Sequence, residues 1–474
     1  MTSTTTRPRT RWTLILVSAA LFMVTLDNLV VTTALPRIRV DLGATLSGLE
    51  WVVNAYTLTF AVLLMVGAAL GDRFGRRRIL TLGLTIFTGA SAAAALAPDA
   101  TILIAARAVQ GAGAALVLPL TLTLLSEAFP PGRRGVALGI WSGISGLGVA
   151  LGPVIGGAVV TGISWQWIFW LNVPIGIALI PLAWRRLDES RGPNAALDLP
   201  GVVLASAGLL GIVWGLVRGN EVGWGSPEIV GSLLGGVLLV AAFVLWELRT
   251  RAPMLPMRFF RNRTFAQANV ASLLMFFWMF GSIFLLAQFF QTVQGYSPLG
   301  SGLRILPWTA MPIFIAPIAG ALSDRIPGPR IMGVGLALQA IGLGWIAAVS
   351  TPTVPYADLV GPFFLSGIGM ALFFAPVANV VLGSVRPREE GQASGANNAI
   401  RELGGVFGVA VLASVFSSYG GYGTGASFVA GLTPAVWVGA AVVAVAALAA
   451  LTIPVRRRAQ AEIGHLEPAL EEAA

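Results

Sequence analysis

Long apolar segments, each followed by a short polar connection, succeed one another along almost the whole chain. Each has about the 20 residues that a helix needs to cross a bilayer, and none shows the ~10-residue alternation of a barrel strand. The pattern therefore predicts an all-α membrane protein with fourteen transmembrane helices. We assign them to residues 12–35, 50–70, 79–98, 101–125, 136–160, 166–184, 198–217, 228–248, 268–290, 303–323, 331–349, 356–382, 396–419 and 433–453.

The composition excludes a water-soluble protein. Only 11% of the 474 residues are charged and the mean hydropathy is +0.82, whereas soluble domains carry about 25% charged residues. The chain has no cysteine, and its single histidine, His465, lies in the C-terminal tail, so we expect no metal site and no cofactor. It also lacks lysine, and with it the lysine-ending loop that binds ATP. We therefore expect a protein that is not an enzyme and that uses an ion gradient or the gradient of its own substrate.

The arginines predict how the chain crosses the membrane. All 30 basic residues are arginines. If the N-terminus is cytoplasmic, 24 of them fall in cytoplasmic segments, 4 in outer segments or, for Arg304, at the outer end of a span, and 2 deeper within spans, which agrees with the positive-inside rule. The net charge of +9 therefore reflects topology, and we expect no nucleic-acid partner. The arginine usage and high glycine content favour a bacterial protein of the cytoplasmic membrane, with both tails, 1–11 and 454–474, on the cytoplasmic side.

Part of the first half recurs in the second half at a constant offset. Eight glycine, alanine and proline positions between Gly111 and Gly152 match positions 256 residues later. A second match, at an offset of 252, relates residues 70–73 to residues 322–325, with serine in place of Gly71. We infer two parallel six-helix bundles, 12–184 and 268–453, joined by a linker, 185–267, that carries two inserted helices at about 198–217 and 228–248. Parallel repeats of this kind enclose a central cavity and rock against each other in one large class of transporters.

Several motifs resemble those of the major facilitator superfamily. Residues 71–78 resemble its signature loop, residues 107–113 its fourth-helix motif, and residues 148–157 its antiporter motif. Residues 26–28 are similar to the first-helix motif of the fourteen-helix drug:proton antiporters, although Gln166 stands where that branch has arginine. The resemblance covers nearly the whole chain. It implies the major facilitator fold and proton-coupled efflux of multiple drugs, quaternary ammonium compounds or antibiotics.

Charged residues inside the spans are candidates for proton coupling, because an ionisable group in a membrane is costly and therefore functional by default. Asp27 lies roughly 12 Å and Arg107 about 9 Å from the outer surface at 1.5 Å per residue, so the two can meet. We expect Asp27 to carry the proton and Arg107 to modulate it, unless they form a static buried pair. Glu402 is a second acidic candidate, unless it is simply paired with Arg401.

Two further groups are expected to serve the conformational change. The resemblance implies a cytoplasmic latch, which in the first half consists of Gly71, Asp72, Arg73, Gly75 and Arg76, with Glu127 as a partner; Asp324 and Arg325 form a weaker copy. Small residues let helices approach closely and proline bends a span. We therefore expect the antiporter motif to form a tight bend that seals the cavity, through Gly148, Gly152, Pro153, Gly156 and Gly157.

The substrate is the least determined part of the prediction. Polar and aromatic residues at mid-span are candidate cavity residues: Asn54, Tyr56, Gln110, Gln288, Asn397 and Asn398. The aromatic run from Phe276 to Phe284 is expected to face lipid. We predict a monomeric exporter of lipophilic, in some cases cationic, drugs or antibiotics that contacts protons and membrane lipid. A dedicated exporter of one endogenous metabolite and a lipid translocator are the alternatives.

Overall fold

The chain is almost entirely helical in the computed structural model, which describes residues 6–192, 197–251, 253–323, 325–386 and 389–454. A 3-10 turn at Met257–Arg261 precedes the helix Arg263–Gln288, and a π-helical turn at Phe289–Val293 follows it. The helices are α1 (Thr6–Leu42), α2 (Leu46–Phe74), α3 (Arg76–Ala95), α4 (Ala100–Ala128), α5 (Pro131–Gly162), α6 (Trp167–Trp170), α7 (Asn172–Arg186), α8 (Leu199–Val222), α9 (Pro227–Arg249), α10 (Arg263–Gln288), α11 (Pro298–Thr309), α12 (Met311–Leu322), α13 (Gly328–Val349), α14 (Tyr356–Leu382), α15 (Glu390–Tyr419) and α16 (Gly425–Leu451).

The all-α prediction is confirmed, but one predicted span is not continuous. Within the described residues, thirteen helical segments are long and apolar enough to cross a membrane. The segment predicted at 303–323 is instead built from α11 and α12, which meet at Ala310. Pro307, Pro312 and Pro317 lie on either side of that break, and each removes a backbone donor that a continuous helix needs. The predicted span at 303–323 is therefore present as two short helices in series.

Helices α1–α7 pack mainly among themselves, as do α10–α16. The matched glycines make equivalent contacts in the two groups. A Cβ at Gly152 of α5 would lie 2.8 Å from Leu29 of α1. One at Gly408 of α15 would collide with the backbone of Phe277 of α10. The repeat in the sequence therefore corresponds to a repeated helix contact. Because Gly152 matches Gly408, the residues that they contact also correspond: Leu29 of α1 to Phe277 of α10.

The two ends of the bundle differ in charge and in how the two groups meet. We call the end with the α2–α3 turn at Gly75 the arginine-rich end, and the end with the α1–α2 turn at Gly43 the arginine-poor end. At the arginine-poor end the groups are in contact. There Gln291 Nε2 donates to the carbonyl of Thr33 (3.0 Å), and the backbone N–H of Leu299 donates to Thr161 Oγ1 (3.0 Å).

The inserted helices α8 and α9 form a hairpin that packs against α2 and α15, one helix from each group. Asn220 of α8 donates from Nδ2 to the carbonyl oxygen of Ser414 at 2.6 Å. The rings of Trp51 and Trp214 lie 5.8 Å apart across the α2–α8 contact. The hairpin thus covers the seam between α2 and α15.

Candidate functional site

A cavity of about 940 Å³ lies between the two helix groups. Its wall includes Leu122 and Gly139 from the first group and Leu382 from the second. These residues lie near the arginine-rich ends of their helices, whereas the groups touch at the arginine-poor end. The cavity therefore extends toward the arginine-rich end and is closed toward the other.

The cavity wall is mostly apolar and carries one charge of each sign. Arg401 and Glu402, neighbours on α15, are the charged residues among the described lining residues. The amides and aromatic rings of the wall are contributed by both groups: Asn28, Asn397, Asn398, Phe60, Trp141, Phe276, Phe280 and Phe374. Such a wall is typical of sites for drug-sized lipophilic ligands, which combine apolar surface with a few polar groups.

Arg401 and Glu402 do not form an ion pair with each other. The guanidinium of Arg401 lies 4.2 Å from the Phe276 ring centre and 5.3 Å from that of Phe374. It donates to Asn398 Oδ1 at 3.3 Å, and its Nε has no acceptor among the described residues. Glu402 instead accepts a long bond of 3.5 Å from Asn28 Nδ2. Each charge therefore faces the cavity with much of its bonding capacity unused.

Asp27 lies outside the cavity, in a sealed polar cluster within the first group. Its Oδ2 pairs with Arg107 Nη1 at 2.6 Å, and both side chains are fully buried. Its Oδ1 accepts from Gln110 Nε2 at 2.9 Å and from Asn172 Nδ2 at 2.6 Å. Ser91 Oγ accepts from the same two amides at 2.8 and 3.4 Å. The predicted meeting of Asp27 and Arg107 is present, and four helices (α1, α3, α4 and α7) converge on it.

Tyr56 and Val52 of α2 complete the shell around Arg107. The guanidinium lies 4.2 Å from the Tyr56 ring centre, and its Nε donates to the Val52 carbonyl at 3.2 Å. No such cluster is present among the described residues of the second helix group. Position 27 corresponds to position 275, just as 29 corresponds to 277, and position 107 corresponds to position 363 at the repeat offset of 256. These positions hold Met275 and Phe363, which are fully buried. The charged cluster is thus built into one half of the repeat.

The predicted substrate residues divide into two sets. Asn397 and Asn398 line the cavity. Tyr56 and Gln110 belong to the Asp27 cluster, and Gln288 is bound by the Tyr422 hydroxyl. Asn54 is fully buried, with neither amide atom paired in the part of the chain that the structure describes. In this conformation these four residues do not line the cavity.

The aromatic run does not face lipid as predicted. Phe276 and Phe280 line the cavity, and Trp278 and Phe284 are fully buried in the core. The prediction is wrong because α10 packs against α14, α15 and α16 and so has neighbours around most of its circumference.

The signature loop at Gly75 is held together by ion pairs within the first helix group. Arg76 pairs with Asp72 at 2.7 Å and also with Glu127. Arg73 is exposed and stacks beside Phe74 (5.2 Å). The predicted acidic partner Glu127 therefore binds Arg76. Gly71 lies close to the Leu120 side chain, which would have to move to accommodate a Cβ at that position.

Glu189, which follows α7, was not predicted as part of this loop. Its Oε1 accepts from the backbone N–H of Arg77 at 3.0 Å, at the start of α3. Gly75 has φ +111° and faces this carboxylate, so any side chain there would be strained and would displace it. The only hint in the sequence is an acidic pair, Asp188 and Glu189, in an arginine-rich connection. Of the second copy, Arg325 is exposed and Asp324 lies outside the described residues.

The antiporter motif has two packing faces. Gly148, Gly152 and Gly156 face α1, where a Cβ at Gly148 would lie 3.1 Å from Thr25. On the other face, a Cβ at Gly157 would lie 2.7 Å from Leu299 of α11, in the second group. Pro153 belongs to that second face. A Cβ at Gly302 of α11 would lie 2.7 Å from the carbonyl carbon of Pro153. The motif therefore joins the helix that carries Asp27 to the interface between the groups.

A second contact between the groups closes the arginine-poor end. The Arg39 guanidinium lies 3.7 Å from the centre of the Tyr422 ring, and the Tyr422 hydroxyl donates to Gln288. Burial raises the pKa of this hydroxyl, Arg39 lowers it and Glu50 raises it. Glu50 is buried, and its Oε2 has no partner within the described residues. Sequence reasoning did not single out Arg39, Glu50 or Tyr422.

Comparison with protein families and with solved structures gives a consistent result. The model of the Major Facilitator Superfamily matches residues 17–409 and 308–471. A bacterial homologue of the human lysosomal transporter Spinster, solved inward-facing and unoccupied, has a TM-score of 0.67 at 18% identity over 94% of this chain and 97% of its own. An auto-inhibited peptide transporter has a TM-score of 0.69 at 16% identity over 96% and 98%.

Relatives with higher identity are named for export and resistance. The cephamycin export protein CmcT of Amycolatopsis lactamdurans is 38% identical over 85% of this chain and 85% of its own length. The tetracenomycin C resistance and export protein of Streptomyces glaucescens is 35% identical over 86% and 76%. The multidrug resistance protein Stp of Mycobacterium tuberculosis is 36% identical over 86% and 76%.

Proposed function

The chain belongs to the Major Facilitator Superfamily, and on that premise we propose that it exports lipophilic drugs or antibiotics in exchange for protons. The observation that carries the proposal is the cavity between the two helix groups, with its apolar wall and its two charges. Relatives with 35–38% identity are named for export of antibiotics or for drug resistance. The arginine-rich end is the cytoplasmic one, because arginine collects in cytoplasmic loops. The described conformation then opens inward, toward a bacterial cytoplasm.

Proton coupling needs a carboxyl group that changes its contacts as the cavity changes sides. We assign the carried proton to Asp27, with Arg107 as its modulator. The support is the full burial of the pair, which places a carboxylate where an added proton would release Arg107, Gln110 and Asn172. Glu402 is the second protonation site. It faces the open cavity, and Asn28, the next residue after Asp27, contacts it.

The remaining motif residues control the conformational change. When the arginine-poor end opens, α5 must separate from α11, since in the closed state Gly157 packs on Pro298 and Leu299 of α11, and Gly302 packs on Pro153 of α5. In the described conformation Arg76 and Glu189 hold the loop around Gly75 within the first bundle, so we expect it to engage the second bundle when the arginine-rich end closes. We expect the antiporter motif to form the seal and the loop to act as the latch.

The test is dye transport by purified protein in liposomes. A lipophilic cation such as ethidium is supplied with and without a proton gradient, to wild type, Asp27→Asn and Glu402→Gln. The expected result is gradient-dependent transport by wild type, abolished by Asp27→Asn and reduced by Glu402→Gln. Transport by wild type at the same rate without a gradient would contradict proton coupling. Normal coupled transport by Asp27→Asn would remove Asp27 from the mechanism.

A dedicated exporter of one metabolite is the second candidate. It is favoured by relatives that are named for single compounds, cephamycin and tetracenomycin C. A panel of unrelated lipophilic drugs separates the two functions, because a dedicated exporter moves one chemical family and ignores the rest.

A further inference from the structure

We propose that the cavity binds amphoteric compounds, whose acidic group contacts Arg401 and whose basic group contacts Glu402. The inference rests on the export function proposed above and names its substrate class. It comes from the two unpaired, opposite charges that lie side by side on α15 in an otherwise mostly apolar wall.

Arg401 is prepared to bind an anion. Its guanidinium is held by the rings of Phe276 and Phe374, which stabilise a cation without satisfying its N–H donors. Nε has no acceptor, and no carboxylate of the described chain lies within 4.0 Å of the group. A carboxylate or phenolate on a ligand would supply the missing acceptor in the geometry that arginine favours.

Glu402 is prepared to bind a cation or a proton, but not both. Its contact with Asn28, at 3.5 Å, is long for a hydrogen bond. A ligand ammonium would pair with the ionised carboxylate and would be excluded by a proton on it. This exclusion is the property that an exchange of proton for substrate requires.

The position of the two groups on the helix limits the shape of the ligand. Neighbouring residues of an α-helix point about 100° apart and differ by about 1.5 Å along the axis. The two charged groups of the ligand must therefore lie on different edges of its apolar body. The cavity, at about 940 Å³, accommodates a drug-sized body of this kind.

Three matched compounds test the inference: norfloxacin, which carries a secondary amine and a carboxylate, its ethyl ester, which lacks the acid, and its N-acetyl derivative, which lacks the base. Calorimetric titration gives the affinity of each for wild type, Arg401→Gln and Glu402→Gln in detergent. The matched control is Arg304→Gln. Arg304 is also stacked on two aromatic rings, those of Tyr296 and Tyr356, but does not line the cavity.

Wild type is expected to bind norfloxacin about tenfold more tightly than either derivative, since one charged hydrogen bond contributes roughly that factor. Arg401→Gln should abolish the preference over the ester, and Glu402→Gln the preference over the N-acetyl compound. Arg304→Gln should keep both preferences. Arg401→Lys, which retains the charge, should bind norfloxacin at least as tightly as it binds the ester.

Equal binding of all three compounds by wild type would overturn the inference, as would Arg401→Gln with an unchanged preference over the ester. Transport in liposomes distinguishes a failure of the amphoteric substrate class from a failure of the proposed export function. If ethidium is exchanged for protons while norfloxacin and its ester bind alike, export stands and the amphoteric class falls. If no compound moves with the proton gradient, the export function itself falls.

Discussion

The cluster around Asp27 permits a test that separates proton coupling from mere stability. The two halves of the repeat differ here, because Met275 and Phe363 stand where the first half has Asp27 and Arg107. The perturbation is therefore to convert one half into the other: Asp27→Met, Arg107→Phe and the double variant. Gln110 and Asn172 keep an acceptor in all three, since both also donate to Ser91.

The structure sets the expected magnitudes. Asp27 and Arg107 are fully buried and 2.6 Å apart. Removing one partner leaves an uncompensated buried charge, which costs about 3–5 kcal/mol. Replacing both by apolar residues removes the charges together, and such replacements are often neutral or stabilising by ~1–4 kcal/mol. The double variant is thus expected to be at least as stable as the better single variant, with a large coupling energy between the two sites.

The assay combines thermal unfolding of the purified protein with proton-driven dye transport in liposomes. If the pair carries the proton, the double variant recovers stability but has no gradient-dependent transport. A stable double variant with normal coupled transport would refute the assignment and reduce the pair to a structural staple. Additive losses of stability in the double variant would refute the claim that the two charges depend on each other.

Three further outcomes are expected. Gly157→Val should favour opening of the arginine-poor end, because the valine side chain would collide with α11. The control, Gly162→Val, has open space around it and should not. Labelling of single introduced cysteines, which the cysteine-free chain permits, reports the opening. Glu189→Ala should lower the unfolding free energy by about 1–3 kcal/mol, because the backbone N–H of Arg77 at the start of α3 loses its charged acceptor. An equal loss from Arg73→Ala, at an exposed position, would argue against that cause. Asn220→Ala should loosen the α8–α9 hairpin, and unchanged proteolysis of the linker would contradict it.

Sequence reasoning predicted helix positions well and the rotation of helices poorly. Depth in the membrane follows from counting residues, so Asp27 and Arg107 were expected to meet, and they do. The side of a helix that faces a cavity depends on packing with distant helices. A single step along α1, from Asp27 to Asn28, passes from the sealed cluster to the cavity wall.

Two further features were not predicted, and for opposite reasons. Glu189 binds the start of α3 across 112 residues of sequence, so no local pattern identifies it. The break at Ala310 could have been predicted, because Pro307, Pro312 and Pro317 lie within eleven residues and none can donate a helical hydrogen bond.

The hairpin of α8 and α9 affects how lipophilic molecules in the bilayer can reach the cavity. A lipophilic molecule reaches a cavity between two bundles most directly through the seams where the bundles face the acyl chains. The hairpin lies across the seam of α2 and α15, with the Trp51–Trp214 contact and the Asn220 bonds holding it there. The seam of α5 with α11 and α12 has no such cover in the described structure. If compounds enter from the membrane, the expected route is therefore the seam of α5 with α11 and α12, and the inserted helices make lateral access one-sided although the two bundles are related by a repeat.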